Sequence, residues 1–148
     1  MQLFKRVTSF GICIFKKRLL MKNYLASILK VIVSLTIVNV WLFRFSKESV
    51  YRGGDSTDLI TEFAAYGLSL PIMYLIGALK VIAALALLGS VFSKISAQIP
   101  LLVIAALMTA AIYFHFSIGD PLMKSFPAAL MLGLCILIFF LQKNSVRQ

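Results

Sequence analysis

The fold is decided by residues 70–89, whose sequence is LPIMYLIGALKVIAALALLG. Lys80 is the single charged side chain in this stretch, and a helix of that length rises about 30 Å, which matches the hydrocarbon core of a bilayer. Pro71 falls in the first turn of the helix. Backbone N–H groups there have no partner within the helix, so the missing N–H of proline costs no hydrogen bond. We therefore predict a membrane-spanning helix here.

Three further stretches have the same character, at residues 24–43, 98–116 and 126–142. Pro100 and Pro127 again fall in predicted first turns. Hydrophobic residues make up 61% of the 148-residue chain and charged residues only 14%, which is too apolar for a soluble domain of this size. We predict an all-α membrane protein, a four-transmembrane-helix bundle. The composition excludes a soluble enzyme and a nucleic-acid-binding domain.

Loop one, residues 44–69, contains much of the chain's polar chemistry. Residues 53–56 predict a turn, and Ser56 or Thr57 can cap a short helix over residues 58–66. Four apolar or aromatic side chains of that helix fall largely on one side: Leu59, Ile60, Phe63 and Tyr66. We predict a short external interfacial helix between spans one and two. An irregular loop with anchoring aromatics is the alternative.

Basic residues are distributed unequally between the two ends of the predicted bundle. Nine lie before the first span, between spans two and three, or after the fourth: Lys5, Arg6, Lys16, Lys17, Arg18, Lys22, Lys94, Lys143 and Arg147. Four lie in the other two loops: Arg44, Lys47, Arg52 and Lys124. The positive-inside rule then predicts a multi-pass protein of the cell inner membrane with both termini cytoplasmic. We expect these basic residues to contact the lipid bilayer, and we expect the protein to bind no nucleic acid.

Residues 1–23 are predicted to form a basic cytoplasmic N-terminal segment ahead of the membrane domain, residues 24–148. The segment has no small-residue cleavage site, so we do not expect a cleaved signal peptide. Two interpretations stay open. The segment forms a short basic helix on the inner surface, or it is an upstream extension and translation starts at Met21.

Few residues of this sequence suggest a catalytic or metal-binding role. Cys13 and Cys135 form no CxxC pair, and His115 is the only histidine, which is too few for a haem or zinc site. We predict no catalytic residue, no metal site and no cofactor bound by the chain's own residues. The chain is not expected to be a catalyst on its own.

Lys80 is the candidate site residue, because a charge in the middle of a span opposes insertion and by default indicates function. Gly77 and Ala84 share its helix face, so we expect the lysine to point into the bundle. Lys30 is nearer a span end, and its stem can reach the membrane boundary. A neutral, merely buried amine is the alternative for Lys80.

Three more side chains complete the candidate ligand-binding set: Ser34, Thr109 and His115. Ser34 and Thr109 lie at a depth similar to that of Lys80 and could solvate it. His115 lies at the loop end of the third span, where interfacial hydrogen bonding is its simpler role.

An ordered set of features links loop one to the second span. The first span ends in Arg44, and the loop contains Tyr51-Arg52-Gly53-Gly54. Glu62-Phe63-Ala64-Ala65-Tyr66-Gly67-Leu68 follows, and then Gly77-Ala78-Leu79-Lys80. With these features the sequence resembles the DoxX-like family of small four-span membrane proteins, over roughly residues 24–142.

The family's namesake is a small subunit of a membrane oxidoreductase that reduces quinone and oxidises thiosulfate. The resemblance therefore implies an accessory subunit of a quinone-linked membrane redox complex. It also implies redox subunits or further copies of the chain as partners, and quinone as a possible cofactor. The alternative is a small permease or a lipid- or anion-binding membrane protein that uses the cavity around Lys80.

Overall fold

The computed structural model describes residues 2–93 and 95–146, with side chains described over 17–93 and 95–142. Within these residues, five α-helices follow one another: α1 Gln2–Val38, α2 Leu59–Ala65, α3 Leu70–Phe92, α4 Gln98–Ser117 and α5 Leu122–Val146. A π-helical turn, Asn39–Phe43, continues α1. The described residues contain no strand.

Four of these helices are long and apolar enough to cross a membrane: Lys17–Phe43, Leu70–Phe92, Gln98–Ser117 and Leu122–Gln142. The predicted four-helix membrane bundle is confirmed. In the bundle α1 packs against α3 and α5, and α4 also packs against α3 and α5, so the helices form a closed ring. The ends of this ring are called the loop-one end and the terminal end below.

The tightly packed core lies in the middle of the bundle and toward its terminal end. Fully buried branched side chains from all four spanning helices meet there: Val33, Leu87, Ile104 and Ile138. Lipid tails are as apolar as these side chains, so close packing rather than hydrophobic exclusion holds the helices together. The loop-one end is more polar, as described below.

Helix α2 exists as predicted, but Asp58 caps it instead of Ser56 or Thr57. The Asp58 carboxylate accepts the backbone N–H of Thr61 at 2.8 Å, and the Thr61 hydroxyl accepts the backbone N–H of Asp58 at 3.2 Å. This reciprocal pair needs a capping side chain three residues before its partner, and Asp58 has that spacing. The buried face also differs, because Glu62 is buried and Ile60 is exposed.

The ends of two spans differ from the prediction. Helix α5 begins at Leu122, before the predicted start, so Pro127 lies inside the helix rather than in its first turn. Helix α1 runs through the predicted boundary at residues 23 and 24 without a break. The side chains of residues 1–16 and the side chain of Lys94 lie outside those described. The surface-helix and upstream-extension interpretations stay predictions.

Candidate functional site

Loop one folds around a buried carboxylate, that of Glu62 on the inner face of α2. Its Oε2 accepts a hydrogen bond from Nη1 of Arg52 at 2.9 Å, and its Oε1 accepts the N–H of Gly53 at 3.1 Å. Nη2 of Arg52 donates to the carbonyls of Arg44 and Lys47. The side chains of the pair are 7% and 11% exposed. Nε of Arg52 is buried without a hydrogen-bond partner among the described residues, so the contacts of Nη1 and Nη2 have to offset the cost of burying this pair.

A second polar group lies where α4 passes into α5. Nδ1 of His115 is 2.7 Å from Oδ2 of Asp120, and Oδ1 of Asp120 accepts the N–H of Gly54 at 3.0 Å. Lys124 donates to the Gly54 carbonyl and lies 3.4 Å from Oδ1 of Asp120. Burial raises the pKa of the Asp120 carboxyl, but His115, Gly54 and Lys124 together hold that pKa below its ordinary value. These contacts fasten loop one to the loop between α4 and α5.

Tyr66 joins the two groups. Its hydroxyl donates to Oε1 of Glu62 at 3.0 Å and lies 3.2 and 3.3 Å from the two ring nitrogens of His115. Burial and the charge of Glu62 raise the pKa of Tyr66 far above its usual value, so the side chain stays a phenol. A Cβ on residue 53 would overlap the Tyr66 hydroxyl, which explains the glycine there.

Beneath this network lies a cavity of about 560 Å³ lined by residues of all five helices, the π-helical turn and loop one. Glu62, Tyr66 and His115 contribute to its wall at the loop-one end. Apolar side chains form most of the remaining wall, among them Ile37, Phe63, Ile76, Met108, Phe114 and Met131. The volume is within the usual range for small-molecule sites, roughly 300–1,000 Å³. The cavity extends to Lys80 in the middle of α3.

Lys80 lies against the chain's only tryptophan. Its Nζ is 5.4 Å from the centre of the Trp41 ring, which is a cation–π distance. Trp41 belongs to the π-helical turn that ends the first span. One turn before Lys80, a Cβ on Gly77 would overlap the indole, so the glycine allows the ring to approach α3 closely. Ala84 on the same face is fully buried, and Lys80 itself is half-buried at the cavity.

A model of the DoxX-like family matches residues 28–139, which include the polar network, the cavity and most of each span. The chain belongs to the DoxX-like family. No curated protein and no solved structure matches the chain. Family membership and the four apolar helices together make it a multi-pass membrane protein.

In this DoxX-like bundle two of the four predicted site residues, Lys80 and His115, line the same cavity. Ser34 is fully buried elsewhere on α1, and its hydroxyl has no hydrogen-bond partner among the described residues. Thr109 faces outward on α4 and donates to the Ala105 carbonyl. Lys30 was expected to reach the membrane boundary, but it is only 5% exposed because it lies on the inner face of α1.

Sequence reasoning missed the other polar members of this DoxX-like site: Trp41, Arg52, Glu62, Tyr66 and Asp120. Arg52 was counted only as a loop charge, and Tyr66 was placed on the apolar side of the short helix. Glu62 and Tyr66 are four residues apart, so on a helix over residues 58–66 they lie on the same side as Phe63. That spacing is the one signal that could have placed Glu62 inward. Among the described residues, no group of three potential ligand side chains could hold a metal ion.

Proposed function

We propose that this DoxX-like protein is an accessory subunit of a quinone-linked membrane redox complex and holds the quinone head group in its cavity. The observation that supports this proposal is that one largely apolar cavity is lined by Lys80 at mid-span depth and by Glu62, Tyr66 and His115 at the loop-one end. A quinone has a flat apolar ring with a polar oxygen at each end. When bound, it would supply two-electron, two-proton redox chemistry.

The charges of the site favour Lys80 as the residue that holds the head group. Arg52 pairs with Glu62, and Lys124 pairs with Asp120. Among the described residues, no carboxylate lies within ion-pair distance of Lys80, whose Nζ has three N–H donors. A carbonyl oxygen on a ligand would accept from this ammonium group while the Trp41 ring packs beside it.

The membrane placement is part of the same proposal. Nine Lys and Arg residues on the terminal side against four on the loop-one side favour cytoplasmic termini in the inner membrane. The cavity would then lie in the outer half of the bilayer, within reach of the quinone pool. Catalytic redox subunits or further copies of the chain would be its partners.

The proposal is tested by isolating the protein with its native lipids in polymer-bounded discs. Mass spectrometry then measures quinone per protein and identifies copurifying subunits. We expect quinone well above its share of bulk lipid in wild type, and a loss of several-fold in Lys80→Met. Lys30→Met is the matched control, because Lys30 is a buried lysine away from the cavity. Equal quinone content in wild type and Lys80→Met would contradict the proposal.

A second candidate function is binding of an anion-headed lipid. The observation that favours it is the same lack of a carboxylate partner for Lys80, because an unpaired ammonium in an apolar cavity attracts an anion. Native mass spectrometry of the same discs separates the two. A fatty acid or anionic phospholipid retained in place of quinone, and lost in Lys80→Met, would support this second function.

A further inference from the structure

The network of Asp120, His115, Tyr66 and Glu62 has fewer hydrogens than close contacts. Four contacts link the four side chains: 2.7 Å from Asp120 to Nδ1, 3.2 and 3.3 Å from the Tyr66 hydroxyl to Nδ1 and Nε2, and 3.0 Å from that hydroxyl to Glu62. Ionised carboxylates only accept, the phenol has one hydrogen, and a neutral imidazole has one. Two hydrogens cannot fill four contacts.

Nε2 of His115 is the atom left without a hydrogen-bond donor. Asp120 accepts the imidazole hydrogen at Nδ1, which makes Nε2 the acceptor of the ring. The phenol hydrogen goes to Glu62, because that contact is the shorter one and a charged acceptor makes the stronger bond. Among the described residues, Tyr66 is the only hydrogen-bonding neighbour of Nε2. His115 is 6% exposed and lines the cavity, so a further donor can approach this acceptor only from the cavity side.

An unfilled acceptor in a buried side chain is destabilising, and this one belongs to a residue that lines the cavity. We infer that the ligand supplies the missing hydrogen, through a head-group hydroxyl that donates to Nε2 of His115. The ligand class is an amphiphile with a phenol-type hydroxyl. The inference rests on the proposed function, within which it names the hydroxyl-bearing quinol as the preferred form. Asp120 acts as a positioning residue that sets the tautomer.

The first test observes the imidazole directly. The chain has one histidine, so labelling histidine with ¹⁵N gives a single pair of ring signals. We expect a neutral ring protonated at Nδ1 in lipid discs prepared without quinone. A second hydrogen on Nε2 would fill the contact without any ligand. An imidazolium signal at neutral pH would therefore overturn the inference.

The second test uses a matched pair of probes, 4-nonylphenol and its methyl ether 4-nonylanisole, which differ in the ability to donate. Fluorescence of Trp41, the only tryptophan, reports their binding in the cavity. We expect the phenol to bind about five- to tenfold more tightly, the effect of one net hydrogen bond. Equal affinities, or tighter binding of the ether, would overturn the inference.

Asp120→Asn makes this test specific. An amide placed against Nδ1 can donate to it, which moves the ring hydrogen to Nε2 and removes the acceptor from the cavity. The preference for the phenol should disappear in this variant. Asp55→Asn, at an exposed aspartate of loop one, should keep it. A preference that survives Asp120→Asn would overturn the inference.

Tyr66→Phe covers the case in which Asp120→Asn fails to fold. Removing the hydroxyl takes away the one described hydrogen-bonding neighbour of Nε2 and leaves the acceptor free, so the preference for the phenol must persist or grow. Tyr113→Phe is its control, because Tyr113 is exposed on the same helix as His115. Loss of the preference in Tyr66→Phe alone would overturn the inference.

Titration with decylubiquinol and decylubiquinone separates this inference from the proposed function. Tighter binding of the quinol is the expected result. If neither form binds while the phenol still outcompetes its ether, the proposed function fails and the hydroxyl inference stands. If both forms bind equally and both alkyl probes bind equally, the inference fails and the proposed function stands.

Discussion

At the scale of single residues, Glu62 carries the strongest set of contacts at the loop-one end. Its two oxygens accept from Arg52, Gly53 and Tyr66 within 3.1 Å. Arg52 in turn holds the backbone of the first part of loop one. The carboxylate therefore neutralises the guanidinium and fixes the turn that covers the cavity.

Glu62→Gln should lower the free energy of unfolding by about 3–5 kcal/mol, because it leaves the buried guanidinium of Arg52 without its counter-charge. Glu48→Gln is the control, since Glu48 is exposed in the same loop. The measurement is thermal unfolding in detergent, followed by circular dichroism. Equal melting temperatures for the two variants would contradict the role assigned to Glu62.

Gly77→Ala tests the close approach of Trp41 to α3. The added methyl group would overlap the indole and displace it from Lys80, at a cost of about 1–3 kcal/mol for overpacking. Gly89→Ala on the same helix meets open space and should stabilise by about 0.5–1 kcal/mol. Thermal unfolding gives both values, and a shifted Trp41 emission in Gly77→Ala alone identifies the cause. An unchanged emission would count against the contact.

At the scale of elements, α2 is the part of the fold that depends most on side chains outside itself. It has seven residues, too few for a stable isolated helix. Its cap is the Asp58–Thr61 box, its buried face is Leu59, Glu62 and Phe63, and Tyr66 follows it. Its docking over the cavity therefore follows the protonation state of these polar groups.

Alkaline pH should undock α2 through Tyr66. The pKa of this phenol is raised in the folded protein, so its stabilising contribution is complete below the unfolded value of about 10 and is lost as pH rises above it. Thermal stability measured against pH should fall above about pH 10 in wild type and fall less in Tyr66→Phe. Tyr113→Phe should behave as wild type. Identical alkaline profiles in all three proteins would refute the assignment.

Acidic pH should also weaken the docking of α2, in this case through Asp58 and Asp120. The Thr61 N–H and hydroxyl hold the pKa of Asp58 below its ordinary value, and that of Asp120 is also lowered. Both contribute stability above an unfolded pKa of about 3.9 and lose it as pH falls through the folded values. Hydrogen exchange of the α2 amides, corrected for intrinsic rates, should rise below about pH 4 and should already be raised at neutral pH in Asp58→Ala. Unchanged protection in that variant would contradict the cap.

The elements were largely predictable, because each span is a long apolar run and the short helix follows a glycine turn. The cap was misplaced by one or two residues, since Ser56, Thr57 and Asp58 are all good caps and only the spacing to Thr61 separates them. Pro127 suggested a helix start that the chain does not use. The burial of Glu62 was missed because an acidic residue on a short amphipathic helix usually faces water.

At the scale of the whole molecule, the sequence and the structure agree on four spans but differ in how much they say about the site. Span positions follow from local hydropathy. The cavity depends on contacts between distant residues, such as Gly54 with Asp120 and Tyr66 with His115. No periodicity encodes such pairs. Lys80 and His115 were found because a mid-span lysine and a lone histidine stand out in an apolar chain.

The threading of the molecule can be tested with single cysteines in a variant that lacks Cys13 and Cys135. A membrane-impermeant thiol reagent applied to intact cells should label a cysteine at position 56 and not one at position 145, as the distribution of Lys and Arg requires. Permeabilised cells should show labelling at both sites. Labelling of intact cells at position 145 alone would reverse the orientation.

The central claim is that Lys80 and the loop-one network line a single cavity, which binds the head group of one ligand. The most direct measurement is quenching of Trp41 fluorescence by decylubiquinone in lipid discs, because the single tryptophan lies beside Lys80 in that cavity. We expect saturable quenching in wild type and in Lys30→Met, and an affinity at least about tenfold weaker in Lys80→Met, the loss of a charged hydrogen bond. Linear, non-saturable quenching that is the same in all three proteins would contradict the account.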